Sequence, residues 1–323
     1  ERLQLAGHVY QSSSEGILVT DADDRIVAVN PAFSVLTGYA AEEVVGRNPK
    51  FLASGETPPE TYVAMRTALR EGGRWQGELY NRRKNGELFV EWLRINTVYD
   101  ENGDVLRRIG LFSDITEKKK SDQLVWHQAN FDPLTGLPNR RLFRDRLLQE
   151  MRRSERSGQL LALLFIDLDK FKAVNDRLGH ETGDRLLAEA AQRISECVRS
   201  TDTVARLGGD EFTLVLPGIG GAPQIERVAH ALITRLEKEF RFGAESAHIS
   251  ASVGVALYAG DATSMDTLIA RADAAMYAAK SAGRSCFRYY TDDTPAGDSP
   301  PAVAAAGSAQ GEPVMHGGTA CRA

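Results

Sequence analysis

Leu160-Leu161-Ala162-Leu163-Leu164-Phe165-Ile166 is a continuous apolar run that ends in Asp167-Leu168-Asp169. An apolar run of this length with no polar alternation fits a strand covered on both faces. Working outward from it, a helix is expected over Arg140 to Ser154 upstream, and another follows Asp184 with Leu186, Leu187, Ala190 and Ile194 on one face. Thr203 to Ala205 and Glu211 to Leu216 then flank Gly208-Gly209 as a hairpin. A helix near Ile225 to Leu236, a strand over His248 to Leu257, a helix over Met265 to Lys280 and a strand over Cys286 to Tyr290 complete the pattern. Alternating helices and strands imply an α/β domain over 131–290. Beyond Thr291 the chain is rich in Pro, Ala, Gly and Ser with little to bury, so 291–323 is expected to be a disordered low-complexity tail.

The portion before this domain reads differently. Gly16 to Thr20 and Arg25 to Val29 are short apolar strands around the turn Asp21-Ala22-Asp23-Asp24. Asn30-Pro31 places a capping side chain before a proline at the first helical position, opening a helix to Thr37. A second helix runs from Thr57-Pro58 to Gly72-Gly73, and three strands follow over Trp75 to Arg82, Leu88 to Tyr99 and Val105 to Ile115. Lys84-Asn85-Gly86 and Asp100-Glu101-Asn102-Gly103 between them are hairpin turns. This unit, 1–116, is an antiparallel sheet with short helices. Residues 117–130 are charged and helical, a linker with barely one heptad, too short a pattern to establish a coiled coil.

At 323 residues there is room for two such cores. The net charge of -5 argues against a nucleic-acid polymer as partner, since that needs a broad basic face. No apolar run approaches a membrane span. Cys197, Cys286 and Cys321 are scattered and odd in number, which points to neither a disulfide framework nor a zinc site and makes the cytoplasm the default location. The chain opens at Glu1 without Met and reads as a piece of a longer protein, so an inner-membrane anchor upstream stays open.

Acidic residues carry the chemistry. Asp167 and Asp169 stand at the end of the apolar strand, where open α/β sheets commonly bind ligands. Asp210 and Glu211 follow two glycines, which permit unusual backbone angles and close approach of another molecule. If the two strands are neighbours their carboxylates converge, and such a cluster of hard oxygens suits Mg²⁺. Lys172 adds positive charge nearby, and the set points to metal-assisted phosphoryl transfer. The alternative is a group of solvated acidic turns.

Gly208-Gly209-Asp210-Glu211-Phe212 matches the signature of the GGDEF diguanylate cyclase family, and Asp132 to Arg141 resembles the segment that opens that domain. Phe165 to Asp176 with Gly179-His180 and Gly183-Asp184, and Ala272-Asp273 with Met276-Tyr277 and Ala279 to Arg284, resemble two further family blocks in the same order. The order of strands and helices in 1–116, and the ending Asp114-Ile115-Thr116, resemble a PAS domain. The resemblance implies a two-domain chain, α+β followed by α/β, with a central sheet covered by helices. It implies Mg²⁺ (or Mn²⁺) held by Asp167, Asp210 and the Leu168 carbonyl, with Asp210 taking a proton from the attacking 3′-hydroxyl and Glu211 supporting the metal. Lys172 would stabilise the transferring phosphoryl group. Asn175, His180 and Asp184 would meet guanine, Gly208 and Gly209 would line the nucleotide, and Lys280 and Arg284 would hold the terminal phosphates. The reaction so implied joins two GTP into cyclic di-GMP across a homodimer, which suits a two-fold symmetric product.

Arg199-Ser200-Thr201-Asp202 fits the RxxD pattern of the family's inhibitory product site, with a surface ion pair as the alternative. The second arginine of such a site is not identifiable; Arg227 and Arg235 are the candidates. In the PAS-like domain Pro49 occupies the position of the reactive cysteine of light-sensing relatives, and His8 is the only histidine before His127. No cofactor is assigned there, leaving an apolar small molecule or no ligand, with Trp75 and Trp92 as core or interface aromatics. Two further readings stay open: a catalytically silent cyclic di-GMP or GTP receptor, and the front part of a protein with a phosphodiesterase domain downstream. The intact acidic set disfavours the first.

Overall fold

The computed structural model describes residues 2–243, 245–258, 262 and 264–292. The expected disordered tail lies outside these residues from position 293 onward. The chain divides into two compact units, Glu1–His127 and Gln128–Ala323.

In the first unit α1 (Arg2–Ser12), not anticipated above, precedes β1 (Gly16–Thr20) and β2 (Ile26–Val29). Then come α2 (Pro31–Thr37), α3 (Ala41–Val44), a 3₁₀ turn over Pro49–Leu52 and α4 (Pro59–Gly72). The meander β3 (Arg74–Arg82), β4 (Leu88–Tyr99) and β5 (Val105–Asp114) closes an antiparallel sheet of order β2-β1-β5-β4-β3. Asn30 is 1% exposed because its amide serves both sides of the first crossover. Its Oδ1 accepts from Ile17 N at 2.8 Å and Phe33 N at 3.0 Å, and its Nδ2 donates to Glu15 O at 2.9 Å. The core gathers Phe33, Val44, Phe89, Leu93 and Phe112 between sheet and helices. Where β5 gives way to α5 (Thr116–Asn130), Asp114 Oδ1 accepts from Thr116 N at 2.9 Å while Arg83 pairs with the same carboxylate.

The second unit begins with α6 (Arg140–Ser157), β6 (Leu160–Asp169) and α7 (Phe171–Ser195). β7 (Thr203–Gly208), β8 (Glu211–Ile219) and α8 (Ala222–Leu236) follow, with a small hairpin, β9 (Phe240–Phe242) and β10 (Glu245–Ala247), that the apolar pattern did not reveal. β11 (Ser250–Tyr258), α9 (Met265–Ser281) and β12 (Phe287–Tyr289) complete it. The sheet has the order β12-β11-β6-β8-β7, antiparallel throughout except for the β11–β12 pair.

Strand parity organises this domain. Ala162, Leu164, Ile166 and Leu168 pack into one core with residues of α7 and α8. Leu161, Leu163 and Phe165 pack into the other with Phe143 and Leu147 of α6 and Leu268, Ala272 and Met276 of α9. Side chains alternate across a strand, so Asp167 and Asp169 belong to the α6–α9 face. That helix lies close: a Cβ on Gly254 of β11 would stand 2.0 Å from the Ala272 carbonyl and 2.1 Å from Met276 N. Two details differ from expectation. β6 extends through Asp169, so both aspartates sit on the strand itself. Asp184 lies inside α7 instead of before it, because the helix resumes directly after a break at Gly179 (φ 81°, ψ 162°).

Candidate active site

Asp167 stands directly opposite Glu211 in the β6–β8 ladder, so one strand end and the hairpin turn beside it present carboxylates to the same face. The turn needs its glycines: Gly208 has φ 148° and Gly209 φ 52°, where side chains strain the backbone. Asp210 is held against the strand by its own carbonyl, which accepts from Leu168 N at 3.2 Å. Gly209 is gripped as well. Its carbonyl accepts from Arg206 Nη2 at 2.8 Å and Nε at 3.0 Å, while Nη1 of the same guanidinium donates to both Asp132 oxygens at 2.9 and 3.1 Å. The segment that opens the domain is thereby tied to the turn.

Positive charge meets this cluster from the C-terminal end of α9, where the helix dipole also favours it. Lys280 Nζ pairs with Asp167 Oδ2 at 2.8 Å. Just beyond the helix, Arg284 Nε lies 3.7 Å from Asp169 Oδ1. Asp169 is 2% exposed and fully engaged, accepting from Ser252 Oγ at 2.8 Å, Ser250 Oγ at 2.7 Å and Ser285 N at 3.2 Å. It fastens β6 to β11 and to the loop after α9.

The electrostatics of the remaining acids follow from crowding. Burial raises the Asp167 carboxyl above its ordinary range, the Lys280 hydrogen bond opposes this, and Asp210 and Asp169 add to it. Glu211 is raised too, first by burial, against the pull of Arg140 at 3.9 Å and with repulsion from Asp273, Asp167 and Asp210. A group of carboxylates that resists ionisation is one that gains from a cation. Among the described residues no three His, Cys, Asp or Glu side chains form a metal cage. The available donors are two carboxylates, Asp167 and Asp210, with the Leu168 carbonyl between them in sequence: hard oxygens only, a set that fits Mg²⁺.

Other expected residues lie on α7. Lys172 is exposed and, among the described residues, has no ion-pair partner. Asn175 Oδ1 is buried with no hydrogen-bond partner, an acceptor left open. Gly183 allows this: a Cβ there would stand 1.8 Å from Asn175 Oδ1. His180 and Asp184, beyond the Gly179 break, are exposed. Elsewhere, Arg199 N donates to Asp202 Oδ2 at 2.9 Å, so the carboxylate caps the turn and leaves the guanidinium exposed instead of forming a surface ion pair. Arg199 shares a cleft of about 200 Å³ with Arg153 of α6. Of the two arginines considered as its partner, Arg235 is paired with Glu196 and Arg227 is exposed. Asp169 was expected beside Asp167 as a ligand-binding acid and is instead a structural one, while Arg206 and Arg140 carried no assigned role above. Their functions depend on contacts across the sheet, and no local spacing announces them.

A family model described as "Diguanylate cyclase, GGDEF domain" matches residues 129–286, and one described as "PAS domain" matches 14–117. The chain belongs to the GGDEF family, with a PAS domain before the GGDEF domain. It is 46% identical over 175 residues, 54% of this chain and 25% of the relative, to the bifunctional diguanylate cyclase/cyclic di-GMP phosphodiesterase MucR of Pseudomonas aeruginosa. It is 41% identical over 163 residues, 50% of this chain and 38% of the relative, to the diguanylate cyclase TpbB of the same species. Among solved structures it resembles the coiled coil and GGDEF domain of DgcB from Caulobacter crescentus in complex with c-di-GMP, with TM-score 0.51 and 27% identity over 54% of this chain and 93% of that one. The chain spans only 34%, 25% and 44% of the length of three curated relatives that it matches. No described helix of this GGDEF protein is long and apolar enough to cross a membrane.

Proposed function

We propose that the chain is a diguanylate cyclase that joins two GTP molecules into cyclic di-GMP with release of two pyrophosphates, each GGDEF domain of a symmetric dimer holding one GTP. The observation that carries this reading is the meeting of Asp167, Glu211 and Lys280 on one face beside the Gly208-Gly209 turn. Asp210 accepts the proton of the attacking 3′-hydroxyl, held in place through its own carbonyl and the Arg206 grip on Gly209. Lys280 leaves Asp167 and, with Arg284, meets the terminal phosphates; Lys172 reaches the transferring phosphoryl group. Asn175 uses its open acceptor, and Asp184 its carboxylate, on the donor edge of guanine, with His180 beside them. Mg²⁺ on Asp167, Asp210 and the Leu168 carbonyl would neutralise phosphate charge. Most of the rate gain comes from positioning, which two facing domains supply.

Product binding at Arg199 and Asp202 limits the activity, and the PAS domain regulates it. The free guanidinium of Arg199 supports this, since an arginine committed to an ion pair would not be available to a phosphate. The decisive experiment strips the protein of nucleotide, supplies GTP and Mg²⁺, and measures cyclic di-GMP by chromatography beside Asp210→Ala. Product from the wild type alone is expected. Equal product from both would remove Asp210 from the chemistry, and no product from the wild type despite nucleotide binding would favour a receptor.

A further inference from the structure

The PAS domain encloses a cavity of about 630 Å³ between α4 and the sheet. Ligand pockets run from roughly 300 to 1,000 Å³, so this one admits a cofactor-sized molecule. Its walls are mainly apolar, formed by Leu52, Met65, Leu69, Leu79, Leu93 and Ile95. Three polar atoms among the lining residues are not satisfied. Thr20 Oγ1, Tyr62 OH and Arg108 Nε are each buried without a hydrogen-bond partner, and all three residues line this cavity. Deeper in, Glu91 and Asn81 are 4% and 5% exposed, inward-facing residues on β4 and β3 where the apolar alternation calls for hydrophobes. The mouth carries Lys50, Arg66 and Arg70, all exposed, while Arg108 is paired with Asp24.

We propose that this cavity is a binding site for an anionic, largely apolar small molecule whose buried end carries a neutral hydrogen-bonding group. The apolar walls take its body. Lys50, Arg66 and Arg70 attract its charge at the mouth, where Asp24 is the only acid and is already neutralised by Arg108. The floor does not repel an anion. Burial pushes the Glu91 carboxyl up to about 8, against a hydrogen bond from Asn81 and with help from the charge of Asp114, so near neutrality it is uncharged and both donates and accepts. The unpaired hydroxyls of Thr20 on β1 and Tyr62 on α4 add further uncharged polar groups to the lining residues. The cavity is thus built for a more polar occupant than an apolar ligand alone.

Two dyes of nearly the same body test this on the full chain: anilinonaphthalene sulfonate, which is anionic, and N-phenylnaphthylamine, which is neutral. Of the three tryptophans Trp75 and Trp92 belong to the PAS sheet and Trp126 to α5, so dye emission excited through tryptophan in Trp126→Phe reports binding at the PAS domain. Both dyes are expected to bind saturably and to displace one another. The anionic dye is expected to bind about ten-fold more tightly, an advantage that fades at high salt and in Arg66→Glu/Arg70→Glu, whose neutral-dye affinity stays unchanged. Equal affinities with no salt dependence in the wild type would overturn the anion assignment even if the double variant failed to fold. No saturable, mutually exclusive binding would overturn the site.

Discussion

Replacing Glu91 by Gln should stabilise the PAS domain at alkaline pH, and the size of the effect follows from burial. In the fold the Glu91 carboxyl titrates at about 8, against 4.5 in an ordinary peptide. Because the folded value is the higher one, no penalty exists at low pH, where both states are protonated. Stability is lost as pH rises from 4.5 to about 8, as the unfolded chain sheds a proton that the fold retains, and the loss is constant above that. The full gap corresponds to a ceiling of about 5 kcal/mol, and water penetration in a real cavity will lower it. Gln keeps the size and hydrogen-bonding capacity but cannot ionise. Urea unfolding followed by tryptophan fluorescence isolates the PAS transition, since every tryptophan lies in the first unit. Between about pH 6 and about pH 9 the advantage of Glu91→Gln over the wild type should widen by about 2 kcal/mol. Parallel stability profiles for the two proteins would show that Glu91 is solvated and ionised in the fold, and would refute the argument from burial.

Arg199→Ala should leave initial turnover intact and weaken inhibition by added cyclic di-GMP at least ten-fold; an unchanged inhibition curve would return Arg199 to the solvated surface. Arg206→Ala removes the grip on the Gly209 carbonyl and strands Asp132, whose side chain is 18% exposed. It should cost the GGDEF domain about 2 kcal/mol in denaturant melts and lower kcat more than GTP affinity, whereas equal losses in both would assign it to folding alone. Gly183→Ala places a methyl against Asn175 Oδ1 and should weaken GTP binding, measured by calorimetry, by about ten-fold with the melting temperature little changed. Undiminished GTP affinity there would remove Asn175 from guanine recognition.

The sheet of the GGDEF domain was legible because its governing signal is local. Seven apolar residues from Leu160 to Ile166 announce a doubly covered strand, and the Gly208-Gly209 pair announces the hairpin that delivers Asp210 and Glu211. That carboxylates of the two strands converge was an expectation conditional on the strands being neighbours, and the register that sets Asp167 opposite Glu211 came from the structure. The hairpin of β9 and β10 escaped because three-residue strands have no measurable period. Asp169 looked equivalent to Asp167, two residues away and on the same face. What separates them is the neighbouring strand: Ser250 and Ser252 of β11 satisfy Asp169, while Lys280 alone meets Asp167. The register of β11 sets a serine opposite each aspartate, Ser252 opposite Asp167 and Ser250 opposite Asp169, yet both hydroxyls donate to Asp169, a choice that no spacing within β6 announces.

The PAS cavity failed to show in the sequence for a related reason. Its cations come from separate elements: Lys50 from a 3₁₀ turn, Arg66 and Arg70 from α4, Arg108 from β5. Spaced four apart on a half-exposed helix, Arg66 and Arg70 look like an ordinary solvated face. Glu91, however, sits between Phe89 and Leu93 at an inward position, a break in alternation that can be read directly. Its ladder partner on β5 is Asp114, the residue that accepts from Thr116 N at the head of α5 and pairs with Arg83. The floor of the cavity and the first turn of α5 are therefore one residue pair apart. A change in the hydrogen bonding or charge of Glu91 is felt directly by Asp114, its ladder partner at the head of α5.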